Sequence, residues 1–128
     1  MQFLLDTHAF LWWLIDDARL SKIARNSISN PENAIYVSSA SAWEIATKFR
    51  LGKLPGVRAI VNDISGCVVS QGFKELVITI DDGQRAALLK TSLRDPFDRM
   101  LIAQSQIRGL VLISRDSQIH EHEINIIW

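Results

Sequence analysis

Short apolar runs alternate with helix-like segments along almost the whole of this chain. Residues 2–5 form an apolar run that is followed by a helical pattern over 7–15, and residues 34–38, a stretch rich in β-formers, precede another helix. Apolar runs this short are typical of strands that are buried in a parallel sheet. The alternation therefore predicts an α/β fold with a mostly parallel central sheet and helices on both faces.

The remaining elements follow from the same patterns. Ser21 is placed to cap a second helix that closes at Asn30-Pro31, and Ser41 and Glu44 have capping-box spacing at the start of a helix that ends near Gly52. Residues 57–72 predict one further helix. We also expect strands over residues 75–80, 110–114 and 124–128, and helices over 81–89 and 97–108.

Length and composition limit the class of protein. At 128 residues the chain suits a single domain, residues 1–128, with a substantial core, and its 48% hydrophobic and 22% charged residues exclude a disordered chain. Its apolar runs are far shorter than the roughly 20 residues that a membrane-spanning helix needs. The N-terminus is typical of a folded strand rather than of a secretion signal. We therefore expect a cytoplasmic protein with no membrane partner.

The charge balance and the single cysteine exclude two further features. The chain has 14 basic and 14 acidic residues and a net charge of zero, so its overall field does not indicate nucleic-acid binding. Any nucleic-acid partner must therefore be held by a local basic patch. Cys67 is the only cysteine, which excludes an internal disulfide and a cysteine-based zinc cluster.

Four acidic residues stand near the ends of predicted strands or the starts of the helices that follow them. Asp6 ends the first strand and Asp116 follows the strand predicted over 110–114, while Glu44 and Asp98 lie near the starts of helices. Pro96 suits the first position of its helix, which puts Asp98 in the first turn. Sites in an open parallel sheet form outside the carboxyl ends of the strands. We therefore expect these four acids to face one crevice.

The chemistry of such a crevice depends on a cation. Neighbouring carboxylates raise one another's pKa, and a hard divalent ion such as Mg²⁺ or Mn²⁺ removes that conflict in an all-oxygen site. These ions activate water and stabilise charge on a phosphodiester during hydrolysis. The residues thus indicate metal-dependent phosphodiester hydrolysis. Each acid also has a structural explanation, as a helix cap, half of a capping box or a turn residue, and spacing alone does not decide between the two.

Four segments carry a family resemblance. They read LLDTHAFLWWL at 4–14, YVSSASAWEIATKFRLGKL at 36–54, RDPFDRMLIAQ at 94–104 and LVLISRDSQI at 110–119. In these segments the chain resembles PIN-domain nucleases, specifically the VapC-like toxins of bacterial toxin–antitoxin pairs. The resemblance implies a three-layer α/β/α sandwich and an acidic quartet that binds Mg²⁺ or Mn²⁺ and cleaves RNA. The quartet corresponds to Asp6, Glu44, Asp98 and Asp116, and hydroxyls that support the site correspond to Thr7 and Ser114.

The resemblance also implies partners. These are a second copy of the chain in a homodimer, a cognate antitoxin that inserts a segment over the acidic crevice, and operator DNA that is reached only through the antitoxin. One departure is Leu93, where many relatives have a histidine, so a substrate contact there is expected to differ. Asp95 matches the family pattern, but its place before Pro96 favours a role in shaping the loop. His8 is not counted among the metal ligands.

Basic residues near the acids are candidates for RNA backbone contacts. Such contacts give salt-dependent binding with little sequence selectivity, although a solvated surface explains each residue taken alone. The candidates are Lys48, Arg50, Lys53, Arg99 and Arg115. Trp13 and Trp43 lie in predicted helices with apolar neighbours, which favours core packing or a protein interface over base stacking.

Three function classes remain open from the residues and the resemblance together. The leading hypothesis is a Mg²⁺- or Mn²⁺-dependent endoribonuclease that acts as the toxin of a toxin–antitoxin pair. The second is a catalytically silent module of the same fold that binds RNA or a protein, although such a module has no need to keep four mutually repelling acids. The third is a phosphoryl-transfer domain with Asp6 as nucleophile, whose usual second aspartate is replaced here by His8.

Overall fold

A five-stranded parallel sheet forms the centre of the computed structural model, which describes residues 1–122 and 124–128. The strands are β1 (Gln2–Leu5), β2 (Ala34–Ser38), β3 (Lys74–Leu76), β4 (Val111–Ile113) and β5 (Ile126–Ile127). They lie in the order β3-β2-β1-β4-β5, and every neighbouring pair is parallel. The predicted α/β fold with a parallel sheet is therefore confirmed.

Helices connect these strands and cover both faces of the sheet. They are α1 (Thr7–Leu14), α2 (Lys22–Ser29), α3 (Ser39–Arg50), α4 (Arg58–Val61), α5 (Ile64–Ser70), α6 (Ile80–Leu88) and α7 (Pro96–Arg108), with a short 3₁₀ turn at Ile119–Glu121. No helix among the described residues has the length and hydrophobicity needed to span a bilayer.

The core lies in two clusters on opposite faces of the sheet. Phe3 and Leu5 of β1 join the cluster beneath α1 and α2, whereas Leu4 joins the cluster that contains Leu101 and Ile102 of α7. Successive side chains of a strand point to opposite faces, so β1 is buried on both sides. The predicted three layers of helix, sheet and helix follow from this division.

The strand order reverses beside β1. From β1 the chain runs outward through β2 to β3, and it then returns to the other side of β1 to form β4 and β5. Asp6 lies at this boundary, because its backbone N–H donates to the carbonyl of Ile113 at 3.0 Å. The carboxyl ends of β1 and β4 therefore flank the crevice in which parallel sheets commonly place their sites.

The start of α3 differs from the prediction. Ser38, the last residue of β2, is extended and caps the helix by accepting a hydrogen bond from the N–H of Ala40 at 3.1 Å. The helix thus begins at Ser39, and Glu44 lies in its second turn, beyond the reach of a capping box with Ser41. The predicted capping box is wrong because a serine at the strand end supplies the cap earlier.

The helix predicted over 57–72 is also wrong, because two helices occupy that range. Asp63 lies between them outside the helical conformation, with φ −157° and ψ 72°, and caps α5 by accepting from the N–H of Gly66 at 2.9 Å. Ile60 and Val68 nevertheless face the same core cluster. The apolar spacing therefore continues through the break, which is why the sequence pattern did not reveal it.

The strand predicted over 75–80 is shorter than expected. β3 ends at Leu76, and Thr79 caps α6 in a capping box with Asp82. The β-forming residues Val77 and Ile78 lie in the exposed connection between them. Strands β4 and β5 are likewise shorter than the predicted ranges by one or two residues at each end.

Candidate active site

The four acids proposed from the sequence line one cavity of about 290 Å³. Asp6 directly follows β1 and Asp116 lies beyond the end of β4, whereas Glu44 projects from α3 and Asp98 lies in the first turn of α7. The structure thus brings together side chains from four separate elements. The rest of the lining consists of Thr7, His8, Trp12, Lys48, Asp95 and Arg115.

Asp6 is buried and bound by two donors. Its Oδ1 accepts from the N–H of Ala9 at 2.8 Å, which caps α1, and the Ser114 side chain also hydrogen-bonds the carboxylate. Burial raises the pKa of Asp6, and these hydrogen bonds offset that effect only in part. Ser114 also accepts from the N–H of Asp116 at 3.1 Å, so one hydroxyl connects two of the acids.

Glu44 is only 5% exposed, and both of its carboxylate oxygens have partners. Oε1 accepts from the Thr7 hydroxyl at 2.5 Å, and Oε2 forms an ion pair with the Lys48 ammonium. Burial lowers the pKa of Lys48, but the hydrogen bond and charge of Glu44, together with the charges of Asp95 and Asp98, raise it above its usual value, so the ammonium stays protonated. The Thr7 oxygen also lies 3.0 Å from the Ser41 hydroxyl.

Asp98 experiences the electrostatic repulsion of the whole group. Burial first, and then the negative charges of Asp95, Asp116, Glu44 and Asp6, raise its pKa to about 7. Asp95 contributes to this repulsion but also has a structural task. Its Oδ1 accepts from the N–H groups of Phe97 at 2.9 Å and of Asp98 at 3.2 Å, and so it caps α7.

The donor chemistry of the cavity suits a hard divalent ion. The acids offer carboxylate oxygens, and burial together with the charges of the neighbouring acids raises the pKa of Asp98, an effect that a bound cation would oppose. Within residues 1–122 and 124–128, however, no group of three or more His, Cys, Asp or Glu side chains is arranged to hold a metal ion as it stands. Both carboxylate oxygens of Glu44 have partners, and an ion that binds Oε2 would replace the Lys48 ammonium there, while Thr7 keeps its bond to Oε1.

The candidate RNA contacts fall into two groups. Lys48 and Arg115 line the cavity, whereas Arg50 and Lys53 are exposed and lie outside its lining. Arg99 is different, because its guanidinium donates to four backbone carbonyls. These belong to Ala86 at 2.9 Å, Ala87 at 3.1 Å, Leu89 at 2.8 Å and Leu93 at 2.7 Å.

Arg99 therefore holds the connection between α6 and α7, and its contacts do not support the predicted role in RNA binding. Neighbouring residues of a helix point about 100° apart, so Asp98 faces the cavity while Arg99 faces that connection. Leu93 is 8% exposed and belongs to the core cluster beneath α7. The leucine that stands here in place of the histidine of many relatives therefore contributes to core packing.

Two residues of the lining, His8 and Trp12, were not predicted as site residues. They stack on one another with ring centroids 5.3 Å apart. Residues four apart lie on one face of a helix, and this spacing on α1 is the sequence feature from which their contact could have been predicted.

Of the other tryptophans, Trp13 packs against the core and donates from Nε1 to Gln71 at 2.9 Å. Trp43 is 63% exposed and contacts the Phe97 ring edge-on.

The family is decided by a match that covers most of the chain. A sequence model of the PIN domain matches residues 3–124. The chain belongs to the PIN domain family. No curated protein gives a significant match to this PIN domain.

Solved structures share the fold of this PIN domain at low sequence identity. VapBC2 from Rickettsia felis, bound to a DNA fragment from its promoter, matches this chain with a TM-score of 0.71 and 12% sequence identity. The match covers 100% of this chain and 99% of the other. FitAcB from Neisseria gonorrhoeae has a TM-score of 0.71 and 13% identity over 98% and 96% of the two chains. A toxin–antitoxin complex from Klebsiella pneumoniae has a TM-score of 0.65 and 20% identity over 98% and 95%.

Proposed function

We propose that this PIN domain, residues 1–128 acting as one domain, is a Mg²⁺- or Mn²⁺-dependent endoribonuclease that hydrolyses RNA phosphodiester bonds. The observation that carries the proposal is the convergence of four carboxylates on one cavity beside β1, where the strand order reverses. The raised pKa of Asp98 supports it further, because that repulsion is relieved by a bound cation. The acids that would hold the ion are Asp6, Glu44, Asp98 and Asp116.

A bound divalent ion supplies a Lewis acid that activates water and stabilises negative charge on the phosphate. In the reaction, water adds to phosphorus, the bond to one ribose oxygen breaks, and the proton lost by the water ends on the leaving oxygen. The chain contributes orientation. Ser114 connects Asp6 to the backbone of Asp116, and Thr7 holds Glu44 against the cavity. These bonds keep the acids in place around the reacting phosphate.

RNA would reach the cavity along its basic residues. The chain has no net charge, so the affinity for the RNA backbone has to come from a local patch, and Lys48 and Arg115 already lie in the cavity lining. Arg50 and Lys53 continue the positive charge along and beyond α3. The proposal excludes Arg99, whose guanidinium is occupied.

We further propose that this nuclease is a cytoplasmic, homodimeric toxin that is held inactive by a cognate antitoxin. The support is the similarity in fold to proteins solved as toxin–antitoxin complexes, one of them with promoter DNA. On this view, DNA is bound through the antitoxin and not by this chain. A short reading frame beside the gene that encodes a DNA-binding domain would support the pairing.

The deciding experiment is cleavage of a mixed RNA pool by purified protein. Wild type, Asp98→Asn and Glu32→Gln are compared with Mg²⁺ or Mn²⁺ and with EDTA, since Glu32 is an exposed acid outside the cavity. We expect metal-dependent cleavage by wild type and Glu32→Gln, and none by Asp98→Asn. Cleavage by Asp98→Asn that equals that of wild type and needs the added metal ion would contradict the proposed site, whereas equal cleavage by all three proteins in EDTA would reveal a contaminating ribonuclease.

A catalytically silent RNA- or protein-binding module is the second candidate. The observation that favours it is the ion pair between Lys48 and Glu44, which neutralises one acid without any metal. Calorimetric titration with Mn²⁺ separates the two. Uptake of the ion by wild type and its loss in Asp98→Asn support the nuclease, whereas no uptake by wild type supports the silent module.

A further inference from the structure

We propose that Arg115 is a phosphate-binding residue at the edge of this cavity and that Trp12 positions it by holding its guanidinium over the indole ring. This inference rests on the proposed function, because the phosphate it would bind belongs to RNA. It assigns a task to Trp12, a side chain that otherwise has the features of a core residue: it is 5% exposed and belongs to the cluster beneath α1.

The aromatic support for Arg115 is packed against two further rings. The Cζ atom of Arg115 lies 4.6 Å from the centroid of the Trp12 ring, a cation–π distance. Trp12 is itself fixed by two further rings, because His8 stacks on it and Trp128 meets it edge-on at 5.8 Å. A guanidinium placed on such a support loses little conformational freedom when it binds a ligand.

Among the described residues, the guanidinium N–H groups of Arg115 have no hydrogen-bond acceptor, although acids surround them. Arg115 adjoins Asp116 in the chain and lines the cavity with five carboxylates, yet it forms no ion pair or hydrogen bond with any described residue. A second guanidinium, that of Arg19, also lies over Trp12, at 4.8 Å. Arg19, however, is bound through two nitrogens to Asp17 at 3.0 and 2.8 Å, so its donors are occupied.

An open guanidinium fork beside an acidic cavity suits a phosphodiester. Arginine presents its N–H groups in a planar fork that matches two phosphate oxygens, which a lysine ammonium does not reproduce. The acids would face the reacting phosphate from one side while Arg115 binds the same or the adjoining phosphate from the rim. Such a contact acts on the RNA backbone and adds affinity with little sequence selectivity.

Binding of RNA without cleavage tests this assignment. The proteins carry Asp98→Asn to prevent turnover, and a fluorescein-labelled random-sequence RNA pool with Mg²⁺ is titrated at low and moderate salt. We expect Arg115→Gln to weaken binding about tenfold and to reduce the salt dependence by about one phosphate contact. Arg115→Lys should recover only part of the loss, because it restores the charge without the fork.

A matched control is available elsewhere in the fold. Arg58 on α4 lies over the Phe49 ring, with its Cζ 5.3 Å from the centroid, and it is outside the cavity lining. Arg58→Gln therefore removes the same kind of contact at a different place, and RNA binding should remain at the level of the parent. An equal loss in both variants would show a general charge effect and would overturn the assignment.

The role of Trp12 is tested by a double-mutant cycle with Arg115. If Trp12 acts through Arg115, Trp12→Phe weakens RNA binding less than Trp12→Leu, and neither adds to the loss caused by Arg115→Gln. Fully additive losses would contradict the positioning role, and thermal unfolding shows which variants are folded.

The assignment of Arg115 itself does not depend on the Trp12 variants. RNA binding that is unchanged in Arg115→Gln overturns this inference and leaves the proposed nuclease intact. A parent protein that binds no RNA overturns both.

Discussion

Thr7 on α1 donates its hydroxyl hydrogen to Glu44 on α3, with 2.5 Å between the two oxygens. The bond joins the helix that follows β1 to the helix that follows β2, and it fixes one oxygen of a buried carboxylate. The other oxygen is left to Lys48. Two neighbouring strand ends are thus connected through the acid that their helices share.

Thr7→Val removes this hydrogen bond while nearly preserving the side-chain volume. We expect the free energy of unfolding to fall by about 1–3 kcal/mol, because a buried carboxylate oxygen loses its donor. RNA cleavage should fall as well, since Glu44 is no longer held. Urea unfolding and cleavage rates measure the two effects, with Thr47→Val on α3 as the control. Unchanged stability in Thr7→Val would show that Glu44 finds another donor.

Asp98→Asn should stabilise the metal-free protein at alkaline pH. The pKa of Asp98 is about 7 in the folded protein and 3.8 in its ordinary state, so the folded protein holds a proton that the unfolded chain has released between these values. The free energy of unfolding is therefore highest with respect to Asp98 below about pH 4, falls as the pH rises towards about 7, and stays at the lower value above it.

Thermal unfolding in EDTA checks the sign of this effect. At about pH 8 the Asp98→Asn variant should unfold several degrees above wild type, and at about pH 4 the two should coincide. Glu32→Gln, an exposed acid outside the cavity, should show no such pH-dependent gain. A midpoint for Asp98→Asn below that of wild type at alkaline pH would contradict the raised pKa.

Ion binding should be coupled to proton release from the same carboxyl group. Below about pH 7 the metal-free protein carries a proton on Asp98, and a divalent ion that binds the carboxylate must displace it. Affinity for Mn²⁺ should therefore rise by up to about tenfold per pH unit and level off above about pH 7. Calorimetry in buffers of different ionisation heat counts the released protons. An affinity that does not change across this range would argue against ligation by Asp98.

The convergence of the four acids on one cavity could be predicted from the sequence because their positions follow from topology. Asp6 comes directly after a strand, and Asp98 is set in a first helical turn by Pro96. The boundaries of the helices were harder to predict from the sequence. Glu44 has the spacing of a capping box with Ser41, and only the structure shows that the cap is Ser38. Local spacing thus identified the acid and misassigned its partner.

Contacts between distant parts of the chain could not be predicted. Trp12 and Arg115 meet because β1 and β4 are neighbours in the sheet, which no local pattern encodes. The contacts of Arg99 could not be predicted either. Its place next to Asp98 suggested a shared surface, but adjacent helical residues diverge, and its guanidinium binds backbone carbonyls that lie up to 13 residues away.

The C-terminal end of α7 is held by an ion pair between Arg108 and the buried carboxylate of Asp82. Asp82 on α6 is fully buried and accepts two hydrogen bonds from Arg108 at 2.9 Å each, with a third from Gln104 at 3.2 Å. Burial raises the pKa of Asp82, but the hydrogen bonds of Arg108, the Thr79 backbone and Gln104 lower it to about 2. Since α7 carries Asp98 at its other end, this pair orients a helix of the site.

Arg108→Met should therefore destabilise the fold strongly. The substitution removes two charged hydrogen bonds from a buried carboxylate, which typically costs about 1.5–3 kcal/mol. Arg108→Met combined with Asp82→Asn removes the charge but keeps an oxygen for the Thr79 backbone and should recover part of the loss. The folded pKa of Asp82 lies below its ordinary value, so the stability it contributes is present above about pH 4 and is lost as the pH falls through about 2. Urea unfolding should thus show a large cost of Arg108→Met at neutral pH that shrinks near pH 2. A cost that does not depend on pH would mean that packing of the arginine stem, and not its charge, supports α7.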